Sequence, residues 1–316
     1  MAVPTPLMAT WSDGVFVLSP DTIRHELAGH AVRGLKRDGR GSALAVVDGR
    51  TVRRRSADGA WHVIATATVD QSFSCCLPVG DRLYAGTDDA RVVRVIDEGH
   101  WEPLAGFDRV DGRDRWYAGT AVVDGKVVGP PLGVRSMTAT CDGAALLVNI
   151  HVGGIPRSAD GGATWQPTID VEVDVHQVSA HPTRPDLVAA AGGAGLCISR
   201  DAGATWTVEH DGLHAPHCSA VAFVGDDIFV AASQDPFAAQ GAVYRRPIAG
   251  SGPLQPVGGG LPRWLVGVCD TDCIAVEGAF VVIADRSGNA YVSDDLGRTW
   301  ACRPTGHDDP SACVLV

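Results

Sequence analysis

The sequence predicts an all-β fold assembled from repeated units. Three observations support this prediction. One phrase, S-x-D-x-G-x-T-W, recurs along the chain. Short runs of Val, Ile, Ala and Phe, separated by Gly, Asp and Pro, alternate throughout and are typical of many short strands. Helical periodicity is almost absent. Together they indicate a repeat protein in which each repeat contributes a few strands.

The repeated phrase has the chemistry of a turn between two strands. Complete copies occupy 158–165, 199–206 and 293–300, and a shortened copy occupies 56–61. The short aspartate side chain accepts backbone N–H groups one and two residues on, and the glycine tolerates a positive φ. The tryptophan opens the next strand with a large ring to bury. We therefore assign a structural role to Asp160, Asp201, Asp295, Trp165, Trp206 and Trp300.

The phrase resembles the Asp-box, also called the bacterial neuraminidase repeat. Sialidases, sortilin-type receptors and photosystem assembly factors contain such repeats. The resemblance implies a β-propeller in which each box lies between the third and fourth strands of a blade, on the periphery and away from the ligand-binding mouth. It does not specify a reaction.

The spacing of the repeats gives the number of blades. Asp201 follows Asp160 by 41 residues, and Asp295 follows Asp201 by 94, which fits two blades with one box missing. The two chain ends pair to form one further blade, so that no sheet edge is left open. We predict seven blades in a single domain of residues 1–316, with six as the alternative. The predicted blades cover 30–66, 71–106, 134–168, 175–210, 216–258, 270–304, and 7–29 with 311–316.

One segment exceeds what a blade needs. Residues 107–133 are rich in Asp, Gly and Arg and end in Gly-Pro-Pro. Long loops are often functional. We predict that this segment is an insertion loop between two blades.

Composition excludes some partners. The formal net charge is −11, whereas nucleic acids and anionic membranes require a basic surface. The nine cysteines lack the spacing of a disulfide framework, and no signal-peptide pattern is present. We therefore expect a cytoplasmic protein that binds neither nucleic acid nor membrane.

The candidate site lies at the mouth of the propeller. Superposing blades on the 41-residue offset places Arg135, His176 and His217 at equivalent positions. His151 ends a second strand at the same face, and His214 lies just ahead of His217. The ligand-binding candidates are Arg135, His214, Asp272 and Asp285, with Asp270 at a corresponding place in a later blade.

Histidines that converge from neighbouring blades can act as metal ligands or as general bases. The catalytic candidates, and equally the candidate ligands of one divalent transition metal, are His151, His176 and His217. Arg135 would supply a fixed cation for a carboxylate or phosphate. The alternative is that these imidazoles are separate polar residues lining a wet channel.

Three functional hypotheses follow, and the sequence leaves open whether the protein is an enzyme. The leading one is a mouth that binds a small polar or anionic ligand, with metal-assisted catalysis as an extension. The second is a non-enzymatic scaffold that docks a partner protein. The third is a sialidase-like glycoside hydrolase, for which two facing carboxylates are required. No tyrosine forms a recognisable pair with a glutamate, so we transfer no sialidase catalytic residue.

Overall fold

A computed structural model of the chain describes residues 3–39, 41–119, 121–123, 126–128 and 132–316. Within these ranges the strands form seven four-stranded antiparallel blades, one of which carries an additional short strand. The arrangement is a seven-bladed β-propeller, as predicted, and the six-bladed alternative is wrong. No helix in the described ranges is long and apolar enough to cross a bilayer.

The first three blades follow the predicted order. Blade 1 combines the C-terminal strand, as its innermost member, with the first three strands of the chain, and blades 2 and 3 each use four consecutive strands. Their bounds are β31 (Pro310–Leu315), β1 (Pro6–Thr10), β2 (Val15–Leu18) and β3 (Ile23–Glu26); β4 (Val32–Arg37), β5 (Ala43–Val47), β6 (Thr51–Arg55) and β7 (Trp61–Thr66); β8 (Phe73–Val79), β9 (Arg82–Thr87), β10 (Val92–Asp97) and β11 (His100–Pro103).

Short elements occupy the segment between blades 3 and 4, where an insertion loop is predicted. Two 3₁₀ helices, Phe107–Arg109 and Arg113–Arg115, precede a hairpin of β12 (Ala121–Val123) and β13 (Lys126–Val128). Residues 120, 124, 125 and 129–131 of the predicted loop lie outside the described residues. The backbone of Tyr117 pairs with Val152 of blade 4, so this segment lies beside that blade.

Blades 4 to 7 each use four consecutive strands, and a short fifth strand pairs with the third strand of blade 6. Their bounds are β14 (Val134–Ala139), β15 (Leu146–Ile150), β16 (Pro156–Ser158) and β17 (Gln166–Pro167); β18 (Val175–Ala180), β19 (Val188–Gly192), β20 (Gly195–Ser199) and β21 (Thr207–Glu209); β22 (His217–Val224), β23 (Asp227–Ser233), β24 (Gln240–Pro247), β25 (Gln255–Pro256) and β26 (Leu265–Val266); β27 (Ile274–Glu277), β28 (Phe280–Ala284), β29 (Asn289–Ser293) and β30 (Ala301–Pro304).

The hydrophobic core is divided among the interfaces between blades. Met8, Phe229 and Ile283 belong to one buried cluster that joins blades 1, 6 and 7. Leu44 and Phe73 belong to another that joins blades 2 and 3. Burial of apolar area at each interface therefore holds neighbouring blades together.

The repeated phrase forms the turn between the third and fourth strands of its blades. Ser158 donates its hydroxyl hydrogen to Asp160 at 2.8 Å, and the same oxygen accepts the backbone N–H of Gly162 at 2.8 Å. Asp160 in turn accepts the backbone N–H and the hydroxyl of Thr164. Gly162 has a φ of +96°, a conformation that favours glycine. The same contacts recur at 199–205 and 293–299.

Each tryptophan of the phrase packs beside its turn. The Trp165 ring is buried and donates to the Gly162 carbonyl at 3.0 Å. Trp300 makes the corresponding bond to Gly297 at 3.2 Å, whereas Trp206 donates to the Thr168 hydroxyl at 3.0 Å. The phrase therefore closes a peripheral corner of the blade, and its aspartates hold turns.

The serine of the phrase should contribute measurably to stability. Ser158→Ala leaves the buried N–H of Gly162 without an acceptor, and we expect the free energy of unfolding to fall by about 1–3 kcal/mol. Urea unfolding followed by tryptophan fluorescence measures the change. The exposed Ser251→Ala is the matched control, and equal stability of the two variants would contradict this role.

A buried ion pair holds blade 1 against blade 2 at the periphery. Arg55 donates two hydrogen bonds of 2.8 Å to the carboxylate of Glu26, and Trp61 donates a third at 2.9 Å. The side chains of Glu26 and Arg55 are only 8% and 9% exposed. Burial raises the pKa of Glu26, but the bonds from Arg55 and Trp61 outweigh burial and lower it below the usual 4.5.

Removing this charge should therefore destabilise the protein in a pH-dependent way. Glu26→Gln leaves Arg55 buried without a counterion, and we expect a loss of about 3 kcal/mol at neutral pH. Because the folded-state pKa is lowered, the carboxylate stabilises the fold above pH 4.5 and loses its effect as the pH falls below it. The difference in melting temperature between Glu26→Gln and the native protein should therefore decrease as the pH falls below 4.5. Glu102→Gln, in the exposed pair with Arg94, should show neither effect.

Candidate functional site

β-Bulges in the inner strands position the side chains at the mouth. Each bulge places an unpaired residue between two residues that pair regularly with the second strand. The residues at these points are Ser74, Arg135, His176, Ser219 and Ser311. A bulge turns the side chain of its extra residue away from the regular alternation. Five blades thus present one residue each at an equivalent position, which we call the ring position.

Three serines at the ring position connect neighbouring blades. Ser74 donates to the Val134 carbonyl of the next blade at 2.6 Å, and Ser219 donates to Cys269 at 2.6 Å. Ser311 donates in the same way to the carbonyl of Val32. Inner strands form no continuous ladder with the next blade, so these bonds, together with single backbone bonds such as that from Cys313 N–H to the Asp272 carbonyl, supplement packing between blades.

Arg135 departs from this pattern. Near the mouth, Asn149 of blade 4 donates its amide to the Val175 carbonyl of blade 5 at 2.6 Å, in addition to the bonds that Val178 and Ala180 of blade 5 make to Ser136 and Thr138. Arg135 instead reaches across the mouth to blade 7, where Nε lies 3.2 Å from Thr271 Oγ1 and Nη2 lies 3.3 Å from Asp270 Oδ1. Its Nη1 lies 3.1 Å from Nε2 of His151. A second residue has taken over the linking bond, which leaves this guanidinium in the mouth.

The structure brings His151, His176 and His217 together. Their ring centroids are 5.5 Å apart between His151 and His176, and 4.6 Å apart between His176 and His217. His176 also keeps the linking bond of its ring position, because Nδ1 donates to the Cys218 carbonyl at 2.5 Å. Nδ1 of His217 lies 3.2 Å from the Ser233 hydroxyl.

The sequence superposition of His217 on His176 is wrong by two residues. The bulge of β22 falls at Ser219, which makes the linking bond and is therefore the counterpart of His176. The connection leading into blade 6 is two residues longer than the 41-residue offset assumes. His217 reaches the cluster from the first residue of its strand, and its ring packs against that of His176 at an interplanar angle of 43°.

Asp174 joins the cluster and was missed from the sequence. Its Oδ1 lies 3.1 Å from Nε2 of His151, and its Oδ2 lies 3.2 Å from Nε2 of His176. One ligand atom from each of the three residues lies within 4.8 Å of the other two. The signal was present, since Asp174 and His176 are two residues apart at the start of a strand and share one face.

Burial and charge shape the protonation of this cluster. Burial lowers the pKa of His151, and burial together with the neighbouring His176 lowers that of His217 to about 4. Burial alone would raise the pKa of Asp174, but the contacts with His151 and His176 hold it well below its usual range. Asp174 is therefore a carboxylate at neutral pH.

A cavity of about 390 Å³ occupies the mouth. Its wall includes Trp11, Arg33, Arg135, His151 and Asp270. Asp272, a predicted ligand-binding residue, lines both this cavity and a second one further along the inner strands. There its Oδ1 accepts hydrogen bonds from Lys36 at 2.5 Å and from Gln177 at 3.0 Å. This ion pair lies where the two cavities adjoin.

Two further candidates lie apart from the imidazole cluster. His214 contacts Tyr244, with Nδ1 2.8 Å from the phenol oxygen, and packs edge-on against Trp264. Asp285 is fully buried and accepts hydrogen bonds from Ser287, Asn289 and Tyr291. Its carboxylate is the hydrogen-bond acceptor that holds a turn. The position of Asp285 in the sequence did not reveal this structural role.

Comparison with solved structures agrees with the propeller fold. An ancestral GH74 enzyme superposes with a TM-score of 0.62 at 13% identity, over 100% of this chain and 40% of that one. The GH74 enzyme of Niastella koreensis gives 0.59 at 13% identity, over 94% and 46%. The computationally designed protein Ika8 gives 0.60 at 13% identity, over 100% and 88%.

The chain is a seven-bladed β-propeller. It spans less than half the length of the GH74 enzymes that it resembles, and these identities establish the fold alone. No protein-family model matches the sequence, and no curated protein matches it. The Asp-box resemblance therefore stays a prediction.

The contribution of the Asn149 side chain to the contact between blades 4 and 5 can be tested by substitution. Asn149→Ala removes the bond to the Val175 carbonyl, and we expect the free energy of unfolding to fall by about 1–3 kcal/mol. Chemical denaturation measures the change, with the exposed Gln255→Ala as a control. An Asn149→Ala protein as stable as this control would show that blades 4 and 5 do not depend on the bond.

Proposed function

We propose that the mouth of the propeller binds a small polar ligand that carries an anionic group, a carboxylate or a phosphate. The observation that carries this proposal is the guanidinium of Arg135. It lines the 390 Å³ cavity, and the bond from blade 4 to the Val175 carbonyl of blade 5 comes from Asn149 instead. Three of its five N–H groups face Thr271, His151 and Asp270, which leaves two for a ligand.

The charges of the mouth favour a small polar ligand over a polyanion. Cations and carboxylates alternate there in pairs: Arg33 with Asp88 at 3.0 Å, Arg135 with Asp270 at 3.3 Å, and Lys36 with Asp272 at 2.5 Å. Paired charges hold donors and acceptors in fixed positions at little net charge. Such a site recognises a ligand by the geometry of its polar groups.

The glycoside hydrolase alternative is less well supported. It needs one carboxyl group that stays protonated to act as the general acid. The three aspartates that line the cavity, Asp88, Asp270 and Asp272, are each engaged in an ion pair with a cationic side chain. Structural neighbours include the GH74 xyloglucanase of Xanthomonas campestris, at 18% identity and a TM-score of 0.54. Hydrolysis of xyloglucan by the purified protein would support this alternative.

The scaffold alternative would place a partner protein on the propeller surface. A cavity of about 390 Å³ at the mouth favours a small molecule over a protein surface. The cytoplasmic location and the absence of nucleic-acid or membrane partners stay predictions from charge and composition.

Ligand-observed NMR with acetate, inorganic phosphate and glycine as probes tests the proposed function. The measurement uses chelator-treated protein, so the result does not depend on a metal. We expect acetate or phosphate to bind, and Arg135→Met to weaken that binding by about tenfold through the loss of a charged hydrogen-bond donor.

Arg94→Met is the matched control, because this arginine pairs with Glu102 at an exposed site of blade 3. Its binding of the probes should equal that of the native protein. Binding that is absent from the native protein, or that survives unchanged in Arg135→Met, would overturn the proposal.

A further inference from the structure

We propose that His151, Asp174 and His176 bind one divalent transition-metal ion, zinc in the first instance, in the wall of the mouth. This site goes beyond the proposed function, because it does not require the organic ligand. It would also supply the mouth with a positive charge that its balanced ion pairs lack. Four features support it: the spacing of the ligand atoms, the direction of their lone pairs, the support behind the rings and the chemistry of the donors.

The first is the spacing of the ligand atoms. Nε2 of His151 and Nε2 of His176 lie 3.1 Å and 3.2 Å from the two carboxylate oxygens of Asp174. Donors bound about 2.1 Å from one zinc ion, at angles between octahedral and tetrahedral, are about 3.0–3.4 Å apart. These two separations fall in that interval, but they end on different oxygens of Asp174. One ligand atom from each of the three residues lies within 4.8 Å of the other two, so the side chains would close around an ion by rotation.

The second is the direction of the lone pairs. The Cys218 carbonyl can only accept a hydrogen bond, so Nδ1 of His176 carries the hydrogen and neutral His176 turns the lone pair of Nε2 towards Asp174. Nε2 of His151 accepts from Arg135, so its single lone pair is engaged by the guanidinium and becomes a metal ligand only when that bond breaks. Oδ1 of Asp174 is buried and receives no well-aligned hydrogen bond. A cation between Asp174 and His176 would stabilise their facing lone pairs.

The third is the support behind the ligands. Metal-binding histidines usually donate their second ring N–H to a carbonyl or carboxylate, which fixes the orientation of the ring. His176 does so through Cys218. The edge of the His151 ring lies against Gly119, where any Cβ would come within 2.2 Å of it, so glycine leaves room for the imidazole. Both rings are therefore held by their surroundings.

The fourth is the chemistry of the donor set. Two imidazoles and one carboxylate suit zinc, iron and related transition metals, whereas calcium and magnesium prefer oxygen donors throughout. Three protein ligands leave at least one coordination position open, as in catalytic metal sites. His151 lines the cavity, so an open position on that side would be accessible to a ligand.

Arg135 gives the site a distinctive property. Its Nη1 donates to Nε2 of His151, the same atom that would bind the ion. Metal binding must break this hydrogen bond, and it would release the N–H group for an anion in the mouth. We therefore expect Arg135→Met to bind the metal about fivefold more tightly, because one competing hydrogen bond is worth about 1 kcal/mol.

Zinc titration of untagged, chelator-stripped protein by isothermal calorimetry, with metal analysis after desalting, tests the proposal. We expect one zinc per chain in the native protein. Asp174→Asn and His176→Ala should each lower the affinity by about a hundredfold or more. Circular dichroism and melting temperature establish that the variants fold. Absorption of the cobalt-substituted protein reports on nitrogen and oxygen ligation.

The controls separate this site from a general affinity of surface histidines. His62→Ala and His100→Ala remove exposed imidazoles and should keep one zinc per chain. His217→Ala removes the ring that packs against His176 and should also keep one zinc per chain. Native protein without stoichiometric zinc, folded Asp174→Asn with native affinity, or Arg135→Met with weakened affinity would each overturn the proposal. Because acetate and phosphate binding is measured without metal, failure of one proposal leaves the other testable.

Discussion

Hydrogen bonds between the inner strands of neighbouring blades are the constraint on which this propeller depends. Each inner strand pairs with the second strand of its own blade and faces the channel on its other side. Side-chain donors therefore connect it to the next blade, as Ser74, Ser219 and Ser311 do. Similar bonds elsewhere use the thiols of Cys76 and Cys273. Apolar packing joins the blades, and these bonds fix their register.

The same constraint explains where a functional group can stand. A residue at the ring position is turned into the mouth by its bulge, but it is usually occupied with a carbonyl of the next blade. His176 both links two blades and presents a functional group to the mouth, because Nε2 remains available when Nδ1 donates to the Cys218 carbonyl. Within the part of the chain that the structure describes, Arg135 makes no bond to the next blade, where Asn149 donates instead, and its guanidinium contacts Thr271, His151 and Asp270 in the mouth. The candidate functional side chains are therefore concentrated on blades 4 and 5.

The turn phrase allowed the fold to be predicted, because a side chain that closes a hairpin acts locally and repeats with the blade. The site was only partly predictable. His151 and His176 converge as expected, but the alignment of His217 failed because a fixed offset cannot register a connection two residues longer. The position of Asp174 beside His176 depends on which strand face meets the next blade, and the sequence does not specify that face. The turn role of Asp285 depends on its hydrogen bonds from Ser287 and Asn289.

The contact among Lys36, Asp272 and Gln177 lies where the mouth cavity adjoins the cavity beyond it. Lys36 and Gln177 both donate to Oδ1 of Asp272, which lines both cavities. The backbone N–H of Asp272 also donates to Gln177, so the contact is held from both sides. A ligand in the mouth cavity would lie beside Arg135. An anion there would compete with Asp270 and His151 for one guanidinium, which connects ligand binding to the imidazole cluster without any change in the blades.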